Sequence, residues 1–208
     1  MRTIETTVYK FAELSDKAKE KARDWYRQGC CDDSSWYESV YEDAATIADI
    51  IGIDLRQRAA KLMGGGTRME PAIYFSGFSS QGDGACFEGT YRYRKGSVKA
   101  IKAHAPQDAE LHRIAEELYA MQRRARFSIT AQISHRGHYN HSGCMSIDVD
   151  QDMSGDIPTG DIEQCMRDFA DWIYKQLETE YDYQNSDEQV DDAITANEYE
   201  FDEEGERV

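Results

Sequence analysis

Residues 127–135 read FSITAQISH and residues 145–150 read MSIDVD. In the first stretch Phe127, Ile129, Ala131, Ile133 and His135 alternate with Ser128, Thr130, Gln132 and Ser134. In the second, Met145, Ile147 and Val149 alternate with Ser146, Asp148 and Asp150. Successive side chains of a strand point to opposite faces, so a period of two marks strands with one apolar face and one wet face. Such half-buried strands belong to an antiparallel sheet covered on one side.

Working outward, residues 71–78 (PAIYFSGF) and 85–94 (ACFEGTYRYR) read as two further strands, joined by the small-residue turn SSQGDG. Residues 3–11 (TIETTVYKF) are β-branched and aromatic and read as another strand; YEFDEEGERV at the end closes as a strand or a tail. Ser15 fits the N-cap of a helix to about Arg27, with Ala18, Ala22, Trp25 and Tyr26 on one face. Ser35 and Glu38 fit a capping box ahead of the stripe Trp36, Val40, Ala44, Ile47, Ala48 and Ile51, which stops at Gly52. Helical periodicity returns at 97–103, at 107–124 (Leu111, Ile114, Leu118, Met121), at 160–181 (Ile162, Cys165, Phe169, Trp172, Ile173, Leu177) and at 186–196. The expected fold is α+β: an antiparallel sheet of about four to five strands with helices packed mainly on one face, in a single domain over 1–208 whose portion 160–208 is acidic and helical. A Gly-rich turn ends residues 58–70, and no GK[ST] follows to make it a phosphate cradle.

The 208 residues carry a net charge of −16, with 40% apolar residues. That apolar fraction suffices for a core. From Gly160 to Val208 there are 17 acidic residues against three basic ones, so this end alone is −14. Charge gathered at one end makes an electrostatic face that steers partners. It repels phosphates, so direct nucleic-acid binding is not expected. The fitting partner is a basic protein surface, such as another protein's nucleic-acid groove. Asp182, Asp187, Glu188, Asp191, Asp192, Glu198, Glu200, Asp202, Glu203 and Glu204 are the candidate partner-binding residues. A basic strip (Arg92, Arg94, Lys95, Lys99, Lys102, Arg113, Arg123, Arg124, Arg126) offers them an internal complement. The opening MRTIETTVYKF has no apolar core of a signal peptide, no apolar run is long enough to cross a membrane, and five cysteines include an adjacent pair. The expectation is a cytoplasmic protein of a bacterial cell with reduced thiols.

The densest chemical cluster is SHRGHYNHSGC, residues 134–144. His135, His138, His141 and Cys144 recur every three residues, and imidazole with thiolate is a zinc donor set. A zinc-dependent enzyme built on these four, with Asp148 and Asp150 beside them, is one reading; a hairpin loop with hydrogen-bonding histidines is the other. Asp148, Asp150, Asp152, Ser154 and Asp156 imitate half of an EF-hand, but Met153 stands where the turn glycine belongs and Thr159 where the closing glutamate belongs. Cys86 offers a nucleophile if a histidine of 135–141 lies beside it. On an alternating strand it reads as a small buried residue.

YFSGFSSQGDGACFEGTYRYRKGSVKAIKAHAP (74–106), HRGHYNHSGCMSIDVD (135–150) and ANEYEFDEEGERV (196–208) resemble a family of small acidic bacteriophage and prophage proteins labelled antitoxins of a toxin–antitoxin stability system. The resemblance runs from VYKFAELSDKAKEKARDWY (8–26) to Val208. It brings no catalytic residues with it. It implies a non-enzymatic protein that binds and neutralises another protein. The phage setting adds inhibitors of host defence, anti-CRISPR proteins among them, which act on nucleic-acid-binding complexes.

Overall fold

The computed structural model describes residues 7–31, 35–61, 64–151 and 159–208. These form two compact units. The smaller joins Met1–Glu38 to Glu178–Val208, and the larger is Ser39–Leu177.

The smaller unit opens with strand β1 (Tyr9–Lys10) and a 3-10 turn at Phe11–Glu13. The strand read over 3–11 is therefore short where it is described, and residues 3–6 lie outside the described residues. Helix α1 (Asp16–Arg27) starts where Ser15 caps it, its side chain accepting from the Ala18 N–H at 3.3 Å. The long helix α5 gives this unit its end, Glu178–Gln184. Ser186 then caps α6 (Asp187–Ala196), and β10 (Glu200–Phe201) pairs antiparallel with β1. The unit's core is Phe11, Leu14, Ala18, Ala22, Val190, Ile194 and Phe201, flanked by Trp25, Tyr26 and Tyr199. Gly205 closes the C-terminal turn at φ +84°; a Cβ there would lie 2.1 Å from the Ala18 carbonyl oxygen, so no other residue fits.

The larger unit holds α2 (Glu38–Ile51), which ends in a left-handed Gly52. Strands β2 (Ile53–Leu55), β3 (Gln57–Lys61), β4 (Thr67–Pro71), β5 (Ile73–Phe75), β6 (Ala85–Phe87) and β7 (Gly89–Arg92) follow. Next come α3 (Ser97–His104), α4 (Ala109–Arg124), β8 (Ile129–His135), β9 (Met145–Gln151) and α5 (Thr159–Gln184) as far as Leu177. The main sheet is antiparallel with order β2-β7-β8-β9. It has the four strands expected, but β2 stands where the sequence pattern put 71–78. That segment is split instead: β4 pairs with β3 as a hairpin, and β5 pairs with β6.

The split has a local cause. Three extended segments break at Arg56, Ala72 and Glu88. There the Arg56 N–H donates to the Glu88 carbonyl (2.9 Å), the Ala72 N–H to Arg56 (2.7 Å) and the Glu88 N–H to Ala72 (2.9 Å). At this three-way junction every segment changes partner, so one apparent strand over 85–94 becomes β6 and β7. No alternation pattern can signal such an exchange, because each half keeps its own period of two.

One face of the main sheet is apolar: Ile53, Tyr91, Ala131, Ile133 and Ile147 are buried. Helices cover the larger unit's core with Ile47 of α2, Ile101 of α3, Leu111 and Ile114 of α4 and Ile162 and Phe169 of α5, all nearly inaccessible. Phe169 meets Phe87 edge-on at 5.6 Å. The opposite face presents Asp54, Arg92, Thr130, Gln132, Ser146, Asp148 and Asp150 to solvent. Asp108 joins two helices: it caps α4 by accepting from the Leu111 N–H (2.9 Å) and accepts from the Trp172 indole of α5 (2.8 Å).

Candidate functional site

The acidic residues of the C-terminal region fall into two sets. In the first, Arg23 and Arg27 are four residues apart on α1, and Asp187 and Asp191 are four apart on α6. The helices run antiparallel, so the pairs meet in reverse order. Arg23 grips Asp191 bidentately, Nε at 2.6 Å and Nη2 at 2.7 Å, and Arg27 bonds Asp187. Arg23 keeps 15% of its side chain exposed, and its hydrogen bond with Asp191 pushes its pKa further above an already basic value. Glu200 pairs with Lys10 at 3.2 Å, Glu206 with Lys21 at 2.8 Å and Glu204 more loosely with Lys21 at 3.9 Å. Asp202 accepts from the backbone of Glu204 and Glu206 and so shapes the final turn.

The second set is Asp182, Glu188, Asp192, Glu198 and Glu203. All five are exposed, and among the described residues their carboxylates take part in no ion pair. Glu188 and Asp192 stand one helical turn apart on α6. The smaller unit contains 21 acidic and eight basic residues, a net of −13, against −3 for the larger. Internal pairing engages Lys10, Lys21, Arg23 and Arg27, and the unit keeps a surplus of negative charge.

Three residues of the basic strip are engaged within the larger unit. Arg94 pairs with Asp49 (2.5 Å), Lys102 with Glu116 (2.5 Å), and Arg113 with Glu110, Glu117 and, from the acidic end, Asp168 (2.5 Å).

The loop 136–144 connects β8 to β9. His135 Nε2 lies 2.9 Å from the Tyr139 carbonyl and closes the loop, and the Asn140 amide donates to the Phe75 carbonyl at 3.1 Å. His141 caps the turn Ser142–Cys144: its Nδ1 accepts from the Gly143 N–H at 3.1 Å. A neutral ring that accepts at Nδ1 carries its proton on Nε2, and Nε2 lies 3.3 Å from Cys144 Sγ. The ring then donates to sulfur and is not placed to take the thiol proton. His138 packs edge-on against Tyr139. Of the four candidate zinc donors, His141 and Cys144 come together. Among the described residues no three His, Cys, Asp or Glu side chains converge as metal ligands.

Gly84 lies so close to this loop that a Cβ would sit 2.5 Å from the His141 Cβ. Ser80 and Ser79 N–H groups hold the Asp83 carboxyl below the usual carboxylate range. Burial raises the Asp171 carboxyl, against a hydrogen bond from Ser142. Cys86 is fully buried, and burial, then the nearby Cys144, pushes its thiol up to about 12. It is a small core residue, as the strand reading suggested, in a strand buried at all three of its positions. Asp148 and Asp150 lie on the wet face of β9, whereas Asp152, Ser154 and Asp156 lie outside the described residues.

Fold and surface together define an α+β protein whose negative charge is concentrated in one unit made from both ends of the chain. The chain belongs to the family described as Domain of unknown function (DUF8835), which matches residues 36–187. The match contains the whole larger unit; α1, most of α6 and the closing turn fall outside it. No curated protein and no solved structure matches the chain significantly. No helix among the described residues is long and apolar enough to cross a membrane.

The residues that sequence reasoning missed are Lys10, Lys21, Arg23 and Arg27, internal partners of the acidic region. Their signal was present: a basic pair and an acidic pair, each spaced i, i+4, on two amphipathic helices.

Proposed function

We propose that this is a phage- or prophage-encoded, non-enzymatic acidic protein that binds and inhibits a bacterial protein. The target class is a nucleic-acid-binding complex with a basic surface, CRISPR–Cas complexes included. The observation that carries the reading is the set of unpaired carboxylates, Asp182, Glu188, Asp192, Glu198 and Glu203, on a unit of net charge −13. Carboxylates arrayed on a fixed surface can occupy Lys and Arg sites that otherwise hold phosphates, giving fast and salt-sensitive association. The resemblance to acidic phage proteins supports the same reading. An antitoxin would use the same surface against a toxin, and would differ in rescuing growth when co-expressed with it.

The test is capture from host lysate by the wild-type chain and by a variant carrying Asp182→Lys, Glu188→Lys, Asp192→Lys and Glu203→Lys. These four make no ion pair among the described residues, so the variant keeps the fold, checked by thermal unfolding. A basic nucleic-acid-binding partner retained by the wild type, released by salt and lost in the variant is the expected result. Equal, salt-insensitive capture by both proteins overturns the reading.

A further inference from the structure

Cys30 and Cys31 follow α1 directly, and their sulfurs lie 3.4 Å apart. Both side chains are half-buried, and Cys30 also lines an open groove with Trp25, Tyr26, Ser35 and Tyr199. One side chain handles both sulfurs. The Cys30 thiol faces the Asn185 Oδ1 at 3.5 Å, and the Asn185 amide N–H group donates to Cys31 Sγ at 3.7 Å. Asn185 is itself fixed in the turn between α5 and α6: its amide also donates to the Tyr181 carbonyl (2.8 Å), and its carbonyl accepts from Arg27 Nε (3.0 Å). The two sulfurs are therefore held differently. Cys31 accepts an N–H from Asn185. Cys30 acts as a donor, and burial, then its neighbour Cys31, pushes its thiol up to about 12.

We infer that Cys30 and Cys31 form a vicinal dithiol that hydroperoxides convert reversibly to a disulfide, with Cys31 as the attacking sulfur and Cys30 as the resolving one. The chemistry balances in two steps. The Cys31 thiolate attacks a peroxide oxygen; the S–O bond forms, the O–O bond breaks, and the departing oxygen leaves as hydroxide. The sulfur is oxidised by two electrons to a sulfenic acid and the peroxide is reduced. Cys30 sulfur then attacks Cys31 sulfur; the S–S bond forms, the S–O bond breaks, and the Cys30 proton leaves with the hydroxyl as water.

Adjacent α-carbons across a trans peptide are about 3.8 Å apart, short of the roughly 4.4–6.8 Å usual for a disulfide. The product is strained and easily reduced, which makes the site reversible in a reducing compartment. Closing it removes the Cys30 donor from Asn185 and loosens the turn that leads into α6. This inference stands on the sulfur geometry and not on the proposed binding role.

The experiment exposes the reduced full chain to hydrogen peroxide, alkylates it after denaturation and maps the cysteine peptides by mass. The expected result is a Cys30–Cys31 peptide lighter by two hydrogen atoms and unalkylated, reverting with dithiothreitol, while the peptides of Cys86, Cys144 and Cys165 remain alkylated. In Cys30→Ser the sulfenic acid has no resolving partner, so Cys31 is trapped by dimedone. Amide exchange around Asn185 speeds up in the oxidised wild type. A fully alkylated Cys30–Cys31 peptide after oxidation, or a disulfide from either residue to another cysteine, overturns the proposal. So does a Cys30→Ser chain that gives no dimedone adduct.

Discussion

At the scale of single residues, buried polar groups settle the geometry more than the apolar ones do. Gln122 is fully buried in α4. Its amide donates to the Ile129 carbonyl (2.8 Å) and to the Tyr91 hydroxyl (3.3 Å), and its Oε1 accepts from the Ile129 N–H (3.3 Å). It therefore satisfies the backbone at the start of β8, just after the positive-φ residues Arg126 and Phe127. Gln122→Leu keeps the volume and strands two backbone groups, each costing about 1–3 kcal/mol. We expect a drop in Tm of several degrees; an unchanged Tm would mean that water replaces the amide. The thiols of Cys86 and Cys165 make a second prediction. Burial is the main cause in both, and it raises each to about 12. A raised folded value favours the neutral form, so the contribution is complete below the ordinary thiol pKa of about 8.5 and is lost as pH climbs from there towards 12. Denaturant titrations should show a plateau through neutral pH and falling stability above it, and replacing both cysteines with alanine should flatten that alkaline limb. Cys86 was legible as a small strand residue, but alternation does not bury it: all three residues of β6 are buried. Gln122 was not, since a glutamine on a helix carries no mark of the backbone that it will meet. His141 was half-legible: its type and spacing announced chemistry, but only the loop's path revealed a cap.

At the scale of elements, helix limits were readable from caps and stripes, and pairing was not. Ser15 caps the helix that its position announced, and Asp108 and Ser186 cap two helices that periodicity alone had announced. The strand Ile53–Leu55, by contrast, is three residues long and gives no period to count. It joins the sheet because the junction at Arg56, Ala72 and Glu88 sends its neighbours elsewhere. The pairing of α1 with α6 is testable by a double-mutant cycle. Arg23→Ala leaves Asp191 partly buried without its bidentate partner and also removes one of two cations over the Phe11 ring, 5.7 Å away, Lys19 being the other. We expect a loss of about 1–3 kcal/mol, with Asp191→Ala nearly additive to nothing in the double variant. Simple additivity of the two substitutions would show that the pair contributes little, as exposed ion pairs usually do.

At the scale of the whole molecule, charge is the organising quantity. A unit at −13 repels itself over distances that salt screens, whereas its contact pairs at 2.6–3.2 Å are short enough to survive screening. Raising ionic strength from about 0.01 to 0.15 M, which shortens the Debye length from about 30 to 8 Å, should therefore raise Tm. A fall would mean that the contact pairs outweigh the repulsion. The sequence by itself determined the α+β class, the helix limits, the wet and dry faces of β8 and β9, and the total charge. All of these follow from local period, capping chemistry and composition. Only the tertiary structure decided which strands pair and which acids are neutralised, because both depend on residues far apart in the chain. The sequence offered ten equivalent acidic residues. Folding both chain ends into one unit set Asp187, Asp191, Glu200 and Glu204 against cations of the N-terminal segment and turned Asp202 inward to the final turn. Five were left to solvent, since charge neutralises at contact distance and sequence spacing does not fix that distance.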